Sequence, residues 1–179
     1  MFKTTLCAVL TASSLTIFAT VGSAFAEPYA PVAKDPGKPT IEGKELEYPL
    51  EQMMLQATAK NIPDRSAVKQ PPYPGAVVVM AAPASKGSMN DVPYTQLPSV
   101  VLHTTDDVAT VMAFYREALP DWTKFDFFGT EYLYEGGGEF NPFEKSGLET
   151  PQVSVMKLPG PMKYHAMPDA ITSITILYK

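Results

Sequence analysis

The chain has 179 residues, of which 45% are hydrophobic, 18% charged and 11% aromatic. That composition excludes a disordered chain, a collagen-like repeat and a polytopic membrane protein, and the length is that of one domain. A formal net charge of -5, with Arg65 and Arg116 as the only arginines, argues against a nucleic-acid partner and against a site built on bidentate Arg pairing, since both need clustered cations.

Residues 1–26 read as a secretory signal peptide. Lys3 supplies the positive start, and Leu6 to Ala26 carries no charge. Ala24-Phe25-Ala26 forms a small-x-small cleavage site, which predicts a mature chain beginning at Glu27. Thr11, Ser13, Ser14, Thr16 and Thr20 interrupt the apolar stretch and no Lys/Arg cluster follows it, which favours cleavage over retention as an anchor. Cys7, the single cysteine, lies inside this segment. The expected product is therefore periplasmic or secreted, has no membrane span after cleavage, and has neither a disulfide nor a thiolate metal site.

Residues 27–48 carry Pro28, Pro31, Pro36 and Pro39 among Lys, Glu and Gly, and read as an extended linker with little to bury. Residues 49–61 read as a short helix. Pro49 suits a first turn, Leu50, Met53, Met54 and Ala57 recur at helical spacing, and Asn61-Ile62-Pro63 stops it. The main domain is expected over residues 70–179. Pro74-Gly75 has the chemistry of a type II turn, and Ala76–Ala82 follows as a strand. Pro83–Pro93 reads as a loop, and Leu97–Thr104 as a second strand.

Thr104-Thr105-Asp106-Asp107 signals a helix start. Val108, Val111, Met112, Tyr115 and Leu119 form one apolar stripe and Pro120 ends the helix. Trp122 is expected to cover that end. Lys124–Phe128 and Glu131–Glu135 read as two strands joined by a tight turn at Gly129-Thr130. Gly136-Gly137-Gly138 and Asn141-Pro142 open a long loop, and Thr150–Leu158 and Ile171–Tyr178 are the last strands. One helix cannot separate parallel neighbours across such a series, and short connections favour antiparallel pairing. The predicted class is α+β: a mostly antiparallel sheet of about five to six strands, with one main helix on one face and the other face open or covered by the N-terminal helix.

Tyr73-Pro74-Gly75-Ala76, the Thr104–Asp107 cap, Phe114-Tyr115 and Trp122 together resemble a type of small exported bacterial α+β domain. The likeness covers about fifty residues and rests on turn, cap and core positions. It implies an envelope or surface-associated domain of uncharacterised function, with no catalytic residue to carry over.

The residue inventory offers little to chemistry. Gly136-Gly137-Gly138 lacks the helix start and the Lys and Ser/Thr of a phosphate loop. His103, read as a sheet-edge residue, and His165, read as a loop residue, are the only histidines. With Asp106, Asp107 or Glu135 they could make a mixed His/carboxylate metal site, but such a site needs three convergent ligands and no His-x-His or His-x-x-x-His pair supports it. Glu131 and Glu135 share a strand face at roughly 13 Å, too far apart for paired carboxylates, and read with Glu139 and Glu144 as solvated charge. No Gly-x-Ser-x-Gly elbow occurs. No catalytic, cofactor-binding or metal-ligating residue is assigned.

Aromatic clustering is more telling. Phe125, Phe127, Phe128, Tyr132 and Tyr134 fall within ten positions, and some of them are forced to face away from the helix. They make either a second small core under the following loop or an apolar binding surface. On the second reading Tyr132, Tyr134 and Phe128 are the contact residues. The expected function is a non-enzymatic envelope module binding an unknown envelope protein or a small apolar ligand. The alternative is an envelope hydrolase with an unrecognised carboxylate/His site.

Overall fold

The chain enters its sheet through a type II turn at Pro74-Gly75, closed by the Ala76 amide donating to the Tyr73 carbonyl at 3.1 Å, with Gly75 at φ 77° where a side chain would strain. Beyond it, in the computed structural model, which describes residues 27–34, 40–41, 44–45, 57–89, 91–159 and 167–179, come β1 (Val77–Ala82), β2 (Ser85–Met89), β3 (Val92–Gln96) and β4 (Ser99–Thr104). Helix α1 (Val108–Ala118) follows, then β5 (Thr123–Phe127), β6 (Thr130–Tyr134), α2 (Lys145–Glu149), β7 (Gln152–Lys157) and β8 (Thr172–Leu177). The signal segment, residues 49–56 of the expected helix, and His165 lie outside the described residues.

Six strands form one sheet in the order β1-β4-β8-β7-β6-β5, antiparallel at every step. After β4, α1 carries the chain across one face to the far edge. The meander β5 to β8 then returns strand by strand until β8 lies beside β4. The protein is an α+β domain whose mainly antiparallel sheet carries one main helix. Asp107 caps that helix, its Oδ1 accepting from the Thr110 amide at 2.8 Å, and the Asp107 carboxyl is held below its usual pKa chiefly by hydrogen bonds from Thr110.

Register explains the core. Val78, Leu102, Ile174 and Val155 stand in one row across four strands, and Val100, Ile176, Val153 and Leu133 in another. Val111, Met112 and Tyr115 of α1 pack on these rows and none of the three is exposed. Each such side chain contributes about 1.5–3 kcal/mol by leaving water. Val79, Val101, His103 and Leu177 are buried as well, and all six residues of β4 are. The sheet is thus covered on both faces at its centre, rather than open on one.

Three expectations are corrected. Pro83–Pro93 is not simply a loop: β2 and β3 pair as a hairpin arm that prolongs β1 and β4. Main-chain bonds hold it, and its outer positions are mostly exposed, so it carries no alternating apolar signal. Second, residues 28–33 are extended but not free of the domain. Tyr29 is 1% exposed, its hydroxyl donating to the Gln70 carbonyl at 2.7 Å. The Val78 amide donates to Pro31 O and the Ala33 amide to Val78 O. Third, the β5–β6 turn is Phe128-Gly129, with φ 46° and 78°.

The two sheet edges differ. Residues 31–33 lie along the outer edge of β1. Where β1 bulges at Val79, Thr58 from the helical residues 57–61 takes over: its hydroxyl accepts from the Ala81 amide at 3.2 Å and donates to the Val79 carbonyl at 3.3 Å. At the opposite edge, no described strand pairs with the outer side of β5.

Candidate functional site

The β5–β6 ribbon sorts its side chains by the two-residue period of a strand. Lys124, Asp126, Glu131 and Leu133 face α1. Phe125, Phe127, Tyr132 and Tyr134 face away. On the helix side Leu133 joins the core, while Glu131 holds Arg116 at 2.8 Å and Lys124 at 3.2 Å. Of the carboxylates read as solvated charge, Glu131 is thus ion-paired near the sheet margin, while Glu135, Glu139 and Glu144 are exposed.

On the other side the 135–151 connection folds back over the aromatics. Phe140 stacks on Tyr134 with ring centroids 4.3 Å apart and planes at 9°, and meets Phe125 edge-on at 5.5 Å. Tyr134 is 7% exposed and its hydroxyl donates to the Gly138 carbonyl at 3.0 Å. Tyr134 is therefore a residue of a second small core, not a contact surface. Tyr132 is half-buried beside Phe125 and Phe140, and burial raises its hydroxyl pKa.

Phe128 is different: 95% exposed, with its ring edge-on to Phe127 at 4.6 Å. Phe143 joins from the loop, 65% exposed and 5.5 Å from Phe127. Local chemistry fixes Phe143. The Asn141 side-chain oxygen accepts from the Phe143 amide at 3.1 Å, the Asn141 side-chain amide donates to Glu144 at 2.9 Å, and α2 packs so closely that a side chain at Gly147 would strike the Asn141–Pro142 backbone. Met156 is exposed at the same end of the sheet, in the row that runs from Phe127 through Thr130. Three of the six large apolar side chains exposed among the described residues thus gather at one corner. Phe143 and Met156 were not among the sequence candidates; an aromatic directly after Asn141-Pro142, where turn chemistry exposes a side chain, was the available signal.

Backbone conformation sets Phe128 apart further. A two-residue turn with positive φ at both central positions favours Asn-Gly. A bulky residue at φ 46° is strained. Phe128 therefore adds nothing to the core and strains the turn that holds it.

His103 is not at a sheet edge. It lies within β4, an interior strand, between Val77 and Ser173, and is 1% exposed. Burial pushes its imidazole pKa down to about 4. Among the described residues no three of His, Cys, Asp and Glu come together as a metal-binding group, and no helix is long and apolar enough to cross a membrane.

The fold and this corner define an α+β domain with an exposed aromatic knuckle. No protein-family model, curated protein or solved structure matches the chain.

Proposed function

We propose that this is an exported cell-envelope module that binds an apolar partner surface through the corner formed by Phe127, Phe128, Phe143 and Met156. One observation carries the reading: Phe128 is fully presented to solvent from a backbone conformation that costs the fold free energy. Local strain held in place by its surroundings is a mark of functional positions, and an exposed aromatic cluster is a mark of contact surfaces. The signal-peptide pattern of residues 1–26 and the likeness of Tyr73–Trp122 to exported domains support the envelope location. The binding role of Tyr132 is confined to backing Phe127 through Phe125.

The test is a photo-crosslinking side chain introduced at position 128 in cells, with position 91 at the hairpin tip as the exposed control. A discrete adduct at 128, lost when Phe143→Ser is added and missing at 91, is the expected result. No adduct at 128, or the same adducts at both positions, would overturn the proposal.

A further inference from the structure

The outer edge of β5, with which no described strand pairs, has a register of its own. Phe127 and Thr130 flank a two-residue turn, so they form a hydrogen-bonded pair, and by alternation so do Phe125–Tyr132 and Thr123–Tyr134. The main-chain N–H and C=O groups of Lys124 and Asp126 therefore point outward, along the edge to which no described strand pairs. At the β1 edge the equivalent groups meet residues 31–33 and Thr58. At β5 no described residue takes them up, and another strand would satisfy them.

We infer that this edge pairs with the same edge of a second copy of the chain, antiparallel and centred on Phe125, joining two six-stranded sheets across a twofold axis. Hydrogen-bond alternation allows the outward-facing residues to meet in only three central registers. Centring on Lys124 sets Lys against Lys, and centring on Asp126 sets Asp against Asp. Centring on Phe125 sets Lys124 of each copy opposite Asp126 of the other, twice, and the edge is complementary to itself. Opposite charges directly across strands stabilise a pair and like charges oppose it, so charge selects the third register. Both side chains reach solvent: Lys124 is 43% and Asp126 61% exposed, and within one chain the Lys124 ammonium lies 3.2 Å from both Asp126 and Glu131. A twofold interface requires a surface that matches itself, and β5 meets that requirement. The edge is separate from the Phe128 corner, and the inference does not depend on it. Charges on an edge strand commonly keep sheets apart; a permanently monomeric protein is the outcome that reading predicts.

Sedimentation of the purified protein over a concentration series tests this. The expected result is a reversible monomer–dimer equilibrium. Asp126→Lys sets lysine against lysine at both facing pairs, and Lys124→Asp sets aspartate against aspartate. Each substitution weakens the dimer by about tenfold or more, from two like-charge pairs per interface. Mixing the two variants restores it, because every facing pair in the mixed dimer is then opposite in charge. That restoration also shows that neither variant had merely misfolded. A monomer up to about 1 mM, where an interface of only about 4 kcal/mol would already assemble, overturns the inference. So does a dimer indifferent to both substitutions, or a mixture that stays monomeric.

Discussion

Tyr73 donates its hydroxyl to the Asp106 carboxylate at 2.5 Å, tying the turn that opens β1 to the residues that open α1. The two lie 33 positions apart in sequence. Asp106 is itself oriented by its own amide, which donates to the Thr104 hydroxyl at 3.3 Å. The Tyr73 ring meets Phe114 edge-on at 5.3 Å and lies 6.4 Å from Tyr115. The Tyr-Pro-Gly-Ala lead-in and the helix cap are thus one structural joint.

Tyr73→Phe keeps that packing and removes the bond. It is expected to lower stability by about 1–2 kcal/mol, below the full value of a charged hydrogen bond because Asp106 is exposed. Burial first, then the bond to Asp106 and the nearby acids, pushes the Tyr73 pKa up to about 12. The folded state therefore keeps its proton after the unfolded chain loses it near pH 10, and stability present below pH 10 is lost as pH rises toward 12. Denaturant melts should show a shallower alkaline limb in Tyr73→Phe than in the natural protein. Equal limbs would mean that the hydroxyl does not couple to folding.

His103 gives the opposite limb. Burial holds its pKa near 4 against an ordinary 6.5. Between those values the unfolded chain binds the proton and the folded one does not, so stability present above pH 6.5 falls as pH drops toward 4. His103→Gln should flatten that acid limb while costing stability at neutral pH. The slope of the unfolding free energy against pH from 4 to 6.5, compared between the two proteins, checks it.

Tyr115→Ala and Val111→Ala should each cost about 2–4 kcal/mol, since both side chains are fully buried between α1 and the sheet and truncation leaves a cavity. A denaturant midpoint unchanged in both would place the helix on its wrong face.

Tyr134→Ala and Phe128→Asn should move stability in opposite directions. Tyr134 is stacked and buried, so its loss costs about 2–4 kcal/mol. Asn accepts the positive φ of position 128 and removes an exposed ring, which should raise stability by about 1 kcal/mol. Thermal melts of the pair decide. A destabilised Phe128→Asn would show that the ring supports the fold and would remove the ground for a contact role.

Local pattern by itself determined much of this domain. The helical stripe from Val108 to Leu119, its Asp cap and Pro stop, and six of the eight strands β1–β8 follow from periods of 3.6 and 2 and from turn chemistry, which act between neighbours in the chain. The same alternation implied that the β5–β6 aromatics divide between two faces. Tertiary structure decided the rest. The hairpin arm β2–β3 is held by main-chain pairing and carries no side-chain period to read. Tyr29 is held in the core by bonds to the Gln70 and Pro63 carbonyls, while Pro31 and Ala33 bond the outer edge of β1, and all of these partners are distant in sequence. Tyr132, Tyr134 and Phe128 were equivalent as aromatic residues on one ribbon. Phe128 is set apart by its place in the turn at positive φ, and Tyr132 and Tyr134 by the return of Phe140 over the ribbon: burial of a strand face depends on which distant segment lies across it, and a strand's own residues do not encode that.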